Sequence, residues 1–291
     1  MAITYFSDVP AFMREAQPFL QEHEAENNLL FGILDRLQGG VFTLTAPPLL
    51  ALAREGPSVV GVAIRTPPRN VVLSVMSEGA AAFLAQTLSA DGVSMPGVIG
   101  PSAAAQAFAD AWCAASGQQS AVSLREGVYE LMQVSPPSGV SGRFRWAEPA
   151  DRETLIEWII AFEREALGIA EPDRAEREAW AERVIQRTEQ GGMGIWEDQG
   201  QPVCFAGCNG RTPHGARVGP VYTPPERRGH GYASACTAAL SQHLLDQGKE
   251  RCFLHTDLAN PTSNKIYQAI GYRWVGAALE MRFGDQSTTQ Q

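Results

Sequence analysis

The sequence predicts an α/β protein of the α+β kind, arranged as two domains. Three observations predict it. The chain has 291 residues, about twice the ~150 residues of a common domain. The segment Ser135-Pro136-Pro137-Ser138-Gly139-Val140-Ser141-Gly142 is rich in Pro, Gly and Ser and cannot continue either neighbour. On both sides of it one rough order recurs: helices, hairpin, strand, helix, strand. The expected domains are 1–137 and 143–284.

In the first half, Phe19, Leu20, Leu29, Leu30, Ile33, Leu34 and Leu37 recur at helical spacing within residues 10–38, and Asn27-Asn28 marks a break between two helices. Val41–Leu44 reads as a strand. Val59–Ile64 and Val71–Val75 are β-rich runs around the turn Arg65–Asn70. Helices are expected over Ala80–Leu88 and Ser102–Ala115, with Gly97–Gly100 as a buried strand between them. Val128–Val134 alternates as a strand.

In the second half, Arg143–Trp146 opens a new unit. Leu155, Ile156, Trp158, Ile159 and Phe162 give one amphipathic helix, and Asp173–Glu189 a second. Gly194–Glu197 and Pro202–Cys208 form a strand pair around Asp198–Gln201. Ala216–Tyr222 is a strand and Gly231–Gln247 a helix. Cys252–Asp257 is a strand, and Pro261–Ile270 is a helix capped by Gly271. Tyr272–Val275 and Leu279–Phe283 close the sheet, and Asp285–Gln291 is a polar tail.

Hydrophobic content of 44% and charged content of 19% suit a soluble globular protein. The net charge of -9 argues against a nucleic-acid binder. No apolar run approaches the ~18 residues of a membrane span, and the first residues do not read as a signal peptide. Cys113, Cys204, Cys208, Cys236 and Cys252 have no metal-type spacing, and Cys204 and Cys208 fall on one strand face. Reduced thiols in a cytoplasmic protein are the expectation.

The chemistry concentrates at Val218–Ser234: a strand, a basic glycine-rich turn, then a helix start. The first N–H groups of a helix lack internal acceptors, and the helix dipole favours an anion there. Gly229 and Gly231 permit close approach or positive φ. Arg227 and Arg228 add charge suited to phosphate. The ligand implied is a pyrophosphate, and an ordinary strand-to-helix turn is the alternative. Neither a Walker loop nor a Rossmann fingerprint is present. In the first half, Met95–Pro101 stands where an anion loop would sit, without arginines.

Residues Phe144–Phe283 resemble the GNAT superfamily of acyl-CoA-dependent N-acetyltransferases. Val218–Ser234 is similar to its acyl-CoA motif Q/R-x-x-G-x-G/A, with Glu226 departing at the first position. Thr256–Tyr272 is similar to its second motif, N-x-x-(S/A)-x-x-x-Y-x-x-x-G(F/Y). The resemblance implies two tandem GNAT-like domains, each a mixed, mostly antiparallel sheet flanked by helices. The first would be a degenerate copy that completes the acceptor cleft, docks a partner or serves as scaffold. It implies acetyl-CoA as cofactor and CoA as product. Val221, Tyr222 and Thr223 would pair with pantetheine as an added strand. N–H groups of Arg228, Gly229, His230, Gly231, Tyr232 and Ala233, with charge from Arg227, would hold the pyrophosphate. Asn264 would bind the cofactor arm, and Asn260 would shape the strand end.

An acceptor amine would attack the thioester directly, with Tyr267 protonating the leaving thiolate. A phenol with pKa about 10 carries that proton at neutral pH. Core packing for Tyr267 and helix capping for Asn260 are the structural alternatives. His255 and Asp257, on one strand face, are either base candidates or a structural pair. Glu163 and Glu165 also come into reach of an amine, and the base stays unassigned. The acceptor is a small-molecule amine or a peptide or protein amine. A non-catalytic acyl-CoA sensor or interaction module is the second reading, and a longer-chain acyltransferase the third.

Overall fold

The computed structural model describes residues 1–40, 44–187 and 192–284. Most of the strand expected at Val41–Leu44, and the tail Asp285–Gln291, lie outside them; Leu44 belongs to no strand. The described strands of the first half are β1 (Ala2–Phe6), β2 (Leu49–Glu55), β3 (Ser58–Arg65), β4 (Val71–Leu73), β5 (Gly97–Pro101) and β6 (Gln119–Leu131). Its helices are α1 (Val9–Glu22), α2 (Asn28–Gln38), α3 (Glu78–Ala90) and α4 (Ser102–Ser116). The second half has β7 (Arg143–Trp146), β8 (Met193–Asp198), β9 (Gln201–Arg211), β10 (Gly215–Tyr222), β11 (Arg251–Asp257) and β12 (Arg273–Gly284). Its helices are α5 (Arg152–Leu167), α6 (Arg174–Gln186), α7 (Tyr232–Asp246) and α8 (Pro261–Ala269).

The strands form one sheet in the order β1-β2-β3-β4-β5-β12-β6-β11-β10-β9-β8-β7. The order is a palindrome of the two halves with the last strands exchanged. β12 pairs with β5 of the first half, and β6 pairs with β11 of the second. The mixed, mostly antiparallel pairing matches expectation, but two separate sheets do not form. A long antiparallel β6–β12 ladder, from Arg273↔Glu130 to Gly284↔Gln119, joins them.

Helices cover both faces. α1 places Phe12, Ala16 and Leu20 at helical spacing against Leu50, Leu52, Val62 and Ile64. A fully buried Phe or Leu contributes roughly 1.5–3 kcal/mol. α3 and α4 pack on the other face over Val71, Leu73 and Val98. In the second half α7 sits over Cys204, Ala216 and Leu254, and α5 and α6 over Phe205 and Tyr222. α2 packs Leu30, Phe31, Ile33 and Leu34 into the core of its own half and also lies across β9. There a Cβ on Gly32 would stand 3.3 Å from Gly210 Cα, so the two backbones meet closely.

Two differences from expectation, and one strand that the sequence does not announce, have physical causes. β2 reads LLALARE, rich in helix formers, yet hydrogen bonding from β1 and β3 on both sides makes it a strand. β6 begins at Gln119, well before Val128, because β12 pairs along its polar first part. The two closing strands expected at Tyr272–Val275 and Leu279–Phe283 are one strand with a register shift between Trp274 and Gly276.

Candidate active site

β10 and β11 run parallel and pair at only Gly215↔Arg251, Ala216↔Cys252 and Arg217↔Phe253. Beyond these they part. β10 stays bonded to β9, with a register shift across Val218 and Val221, and β11 stays bonded to β6. The gap therefore has a free strand edge on each side. Such an edge can take an extended amide-bearing ligand as an added strand. On β10 Val221 packs toward α7, while Tyr222 points to the opposite face, among the residues under α5 and α6. Thr223 follows, and its buried Oγ1 has no hydrogen-bond partner among the described residues.

The chain then makes a 3-10 turn over Pro225–Arg227, and Glu226 sits exposed in it. Gly229 has φ +83° and Gly231 φ +80°. Gly231 is the N-cap of α7 and brings no side chain to its first N–H groups; no acidic residue stands in the first turn. A Cβ on Gly231 would lie 2.9 Å from Val140 Cγ2, so the linker packs against the loop. The helix N-terminus is thus uncapped by any side chain. Ala233 packs partly into the core behind it.

The side chains of this loop divide unevenly. Tyr232 donates from its hydroxyl to Asp198 Oδ2 at 2.6 Å, and His230 stacks on its ring at 5.4 Å. Asp198 also accepts from Ser141. Tyr232 therefore anchors the loop, leaving only its N–H for a ligand. Arg228 does not project freely as the sequence suggests. It donates to Glu165 Oε2 at 2.6 Å and to Thr223 O at 2.9 Å, over the Tyr222 ring. Tyr222 donates to the other Glu165 oxygen at 2.9 Å. Burial opposes ionisation of Glu165, but these two hydrogen bonds outweigh it and hold the carboxyl below its usual range. Arg227 remains exposed beside the loop.

Across the gap, Asn260 is the N-cap of α8 and accepts from Ser263 N at 3.1 Å. Its capping alternative is the one realised. Asn264 also differs from expectation: its Nδ2 donates to Asp257 O and Asn260 O at 3.0 and 2.8 Å. Its Oδ1 accepts from Tyr129 at 3.3 Å. Both asparagines thus hold α8 against the end of β11. Tyr267, half-buried on α8, lies edge-on to Tyr272 at 6.1 Å. Burial, with the neighbouring Cys204 thiol, pushes its pKa well above the usual phenol value. Its proton is held at neutral pH.

The opposite face of the gap presents different groups. Leu254 packs on the α7 side, and His255, one residue on, faces the other way toward α2. Its Nδ1 lies 3.3 Å from Glu126 Oε2 of β6 and its Nε2 3.1 Å from Asn28 Nδ2 of α2. Asp257 does not join it, since its carboxylate accepts from Ala259 N at 2.8 Å. Glu163 is buried beside Arg177, with Nε 2.9 Å from Oε2. Burial raises its pKa despite that cation. Glu126 and Asn28 escape sequence reading. Both belong to the first half, and no local pattern marks them.

Among the described residues the five thiols are free, no cluster could hold a metal ion, and no helix is long and apolar enough to cross a membrane.

Residues 152–272 match the model of the acetyltransferase (GNAT) family. The whole chain is similar in fold to an acetyltransferase from the GNAT family of Colwellia psychrerythraea (14% identity, TM-score 0.57, covering 97% of this chain and 99% of that one). It is likewise similar to a GCN5-related N-acetyltransferase from Sphaerobacter thermophilus (16%, 0.62, 99% and 98%). A tandem GNAT protein from the clavulanic acid biosynthesis pathway aligns over 97% of this chain and 98% of its own (12%, 0.55). No curated protein matches in sequence. Residues 152–272 therefore belong to the GNAT acetyltransferase family, whose general chemistry is acyl transfer, within a chain that has the tandem GNAT fold from end to end.

Proposed function

We propose that this protein transfers an acetyl group from acetyl-CoA to a primary amine, with residues 143–284 as the catalytic half and 1–137 as its partner half. The observation that carries this reading is the parting of β10 from β11 directly before the uncapped start of α7. A free strand edge and an open helix N-terminus in series fit a ligand with amides followed by a pyrophosphate. When bound, the cofactor supplies an activated acetyl thioester.

The chain's own residues do the rest. Backbone N–H groups from Gly229 to Ala233 hold negative charge. Val221 and Thr223 offer main-chain partners. Tyr267, on the α8 side, keeps its proton and gives it from Oη to the leaving thiolate. Free thiols suit a reducing compartment such as the cytoplasm.

The test is calorimetric titration with acetyl-CoA and CoA, followed by thiol release across a panel of primary amines. Micromolar binding with amine-dependent thiol release is the expected result. Absence of binding overturns the reading. Binding without release from any amine favours the non-catalytic sensor, which the engagement of Glu163 by Arg177 and of Glu165 by Arg228 also supports.

A further inference from the structure

The face of the gap opposite Tyr267 is built from both halves and carries opposite charges. Arg217 sits at the last β10–β11 pair. A Cβ on Gly210 would lie 3.6 Å from Arg217 Cβ and 3.1 Å from Gly32 Cα, so this arginine emerges beside the α2 crossing. It is half-buried and makes no hydrogen bond or close ion pair among the described residues. A guanidinium offers five donors in a planar fork that matches a carboxylate. Arg36 of α2 folds back onto Gly32 O at 3.2 Å, placing a second guanidinium at the same crossing. Burial, then repulsion from Arg217 and Arg69, brings the Arg36 pKa down to about 10. An anion bound there would relieve that repulsion.

The negative end is Glu126. Asn28 Nδ2 donates to Ala25 O and to His255 Nε2, which leaves His255 Nδ1–H to donate to Glu126 Oε2. Oε1 stays unengaged among the described residues. Burial opposes ionisation of Glu126, but His255 and Arg217 keep its pKa below the usual range. Asn28 Oδ1, on a fully buried residue, has no hydrogen-bond partner among the described residues. A buried acceptor left open is costly unless a donor reaches it. An ammonium group brings three.

We propose that the acceptor is a small free amino acid, held as a zwitterion with its ammonium group on Glu126 and its carboxylate on Arg217. The inference rests on the amine-acetylation reading and deepens it. A peptide or protein N-terminus has an amide where a free amino acid has its carboxylate, so it would leave Arg217 unmatched.

The test is calorimetric titration of the CoA-saturated protein with each standard amino acid, its methyl ester and its decarboxylated amine. At least one amino acid is expected to bind, with its ester and its amine weaker by at least ~10-fold, or ~1.4 kcal/mol. Arg217→Met should erase that difference, whereas Glu126→Gln should weaken amino acid and amine alike. An unchanged Kd for CoA shows that each variant folds. The inference is overturned if no amino acid binds, or if esters and amines bind as tightly. Failure of CoA itself to bind would instead strike the acetyl-transfer reading. The amino-acid titrations on the free protein then decide the inference by the same two outcomes.

Discussion

The crossover from β4 to α3 in the first half and that from β10 to α7 in the second occupy equivalent places, yet their helix starts have opposite characters. Each follows a strand that pairs only briefly with its parallel neighbour, at two positions for β4–β5 and three for β10–β11. In the first half, Ser77 caps α3 by accepting from Ala80 N, and Glu78 stands in the first turn. Ser74 is bonded to β3 at Val62, and Val75 N donates to Asn27. One first-turn N–H of α3 and two N–H groups of the preceding segment are thus in use, and a carboxylate there repels anions. In the second half a glycine cap leaves the amides open. A binding site can thus be lost on a retained fold by satisfying a few backbone donors. Beside the first-half crossover, an open pocket lined by Leu29, Leu30, Val72 and Ile99 runs under α2 as far as Val128 and His255. This also corrects the sequence expectation: the segment corresponding to the anion loop is Ser74–Ser77, and Gly97–Pro101 of the Met95–Pro101 run is strand β5.

The sharpest break of this contrast is Gly231→Val. Its φ of +80° and the 2.9 Å approach to Val140 make a β-branched residue strained there. A cost on the order of 1–3 kcal/mol should weaken acetyl-CoA binding by ~10-fold or more, read by calorimetry. An unchanged Kd would remove the start of α7 from the site. Tyr267→Phe comes next. Thiol release should fall ~100-fold, the usual scale for a lost general acid, with Kd for acetyl-CoA preserved. Parallel loss of both would make Tyr267 structural.

In the first half, Ser77→Ala should lower stability by ~1 kcal/mol, the worth of a side-chain cap, and leave CoA binding untouched. A denaturant midpoint beside a CoA titration checks both halves of that statement. Glu165→Gln should release Arg228 toward the loop and tighten acetyl-CoA binding by ~2–5-fold, in keeping with an exposed ion pair. Weaker binding would show that Glu165 holds the loop in its productive shape.

The smallest effect is expected where the halves touch at the far end. Glu24 of the α1–α2 connection bonds His214 Nδ1 at 2.7 Å. The hydrogen bond that the ring donates to Glu24, then the charge of that carboxylate, raises the His214 pKa. A raised pKa gives stability present below the unfolded value of about 6.5 and lost as pH rises through the folded value. Tm should therefore decline slightly above neutrality, and His214→Asn should flatten that slope.

Much of this site was legible because its signals are local. Gly229 and Gly231 announced their positive φ, and the cap at Asn260 lies next to the turn it serves. The break at Asn27-Asn28 separates α1 from α2 as read. The assignment of Arg228 and Asn264 to a ligand was not decided by the motif, because Glu165 and Tyr129, which engage them, lie far off in sequence. β2 was unreadable for a related reason. Its composition favours helix, and only its neighbours on both sides make it a strand.

By itself, the sequence determined most of the helices and strands, though not β1 or β2, together with the linker at 135–142, the open loop before α7 and the tyrosine on α8. Periodicity, turn chemistry and capping act within a few residues and survive without context. The tertiary structure alone decided that β6 and β12 change places, that α2 reaches from its own half onto β9, and that Glu126, His255 and Arg217 share one face of the gap. Strand pairing is set by backbone hydrogen bonds that every residue but proline can make. Which edge a strand finds, and which side chains it carries there, therefore depends on the packing of the whole chain.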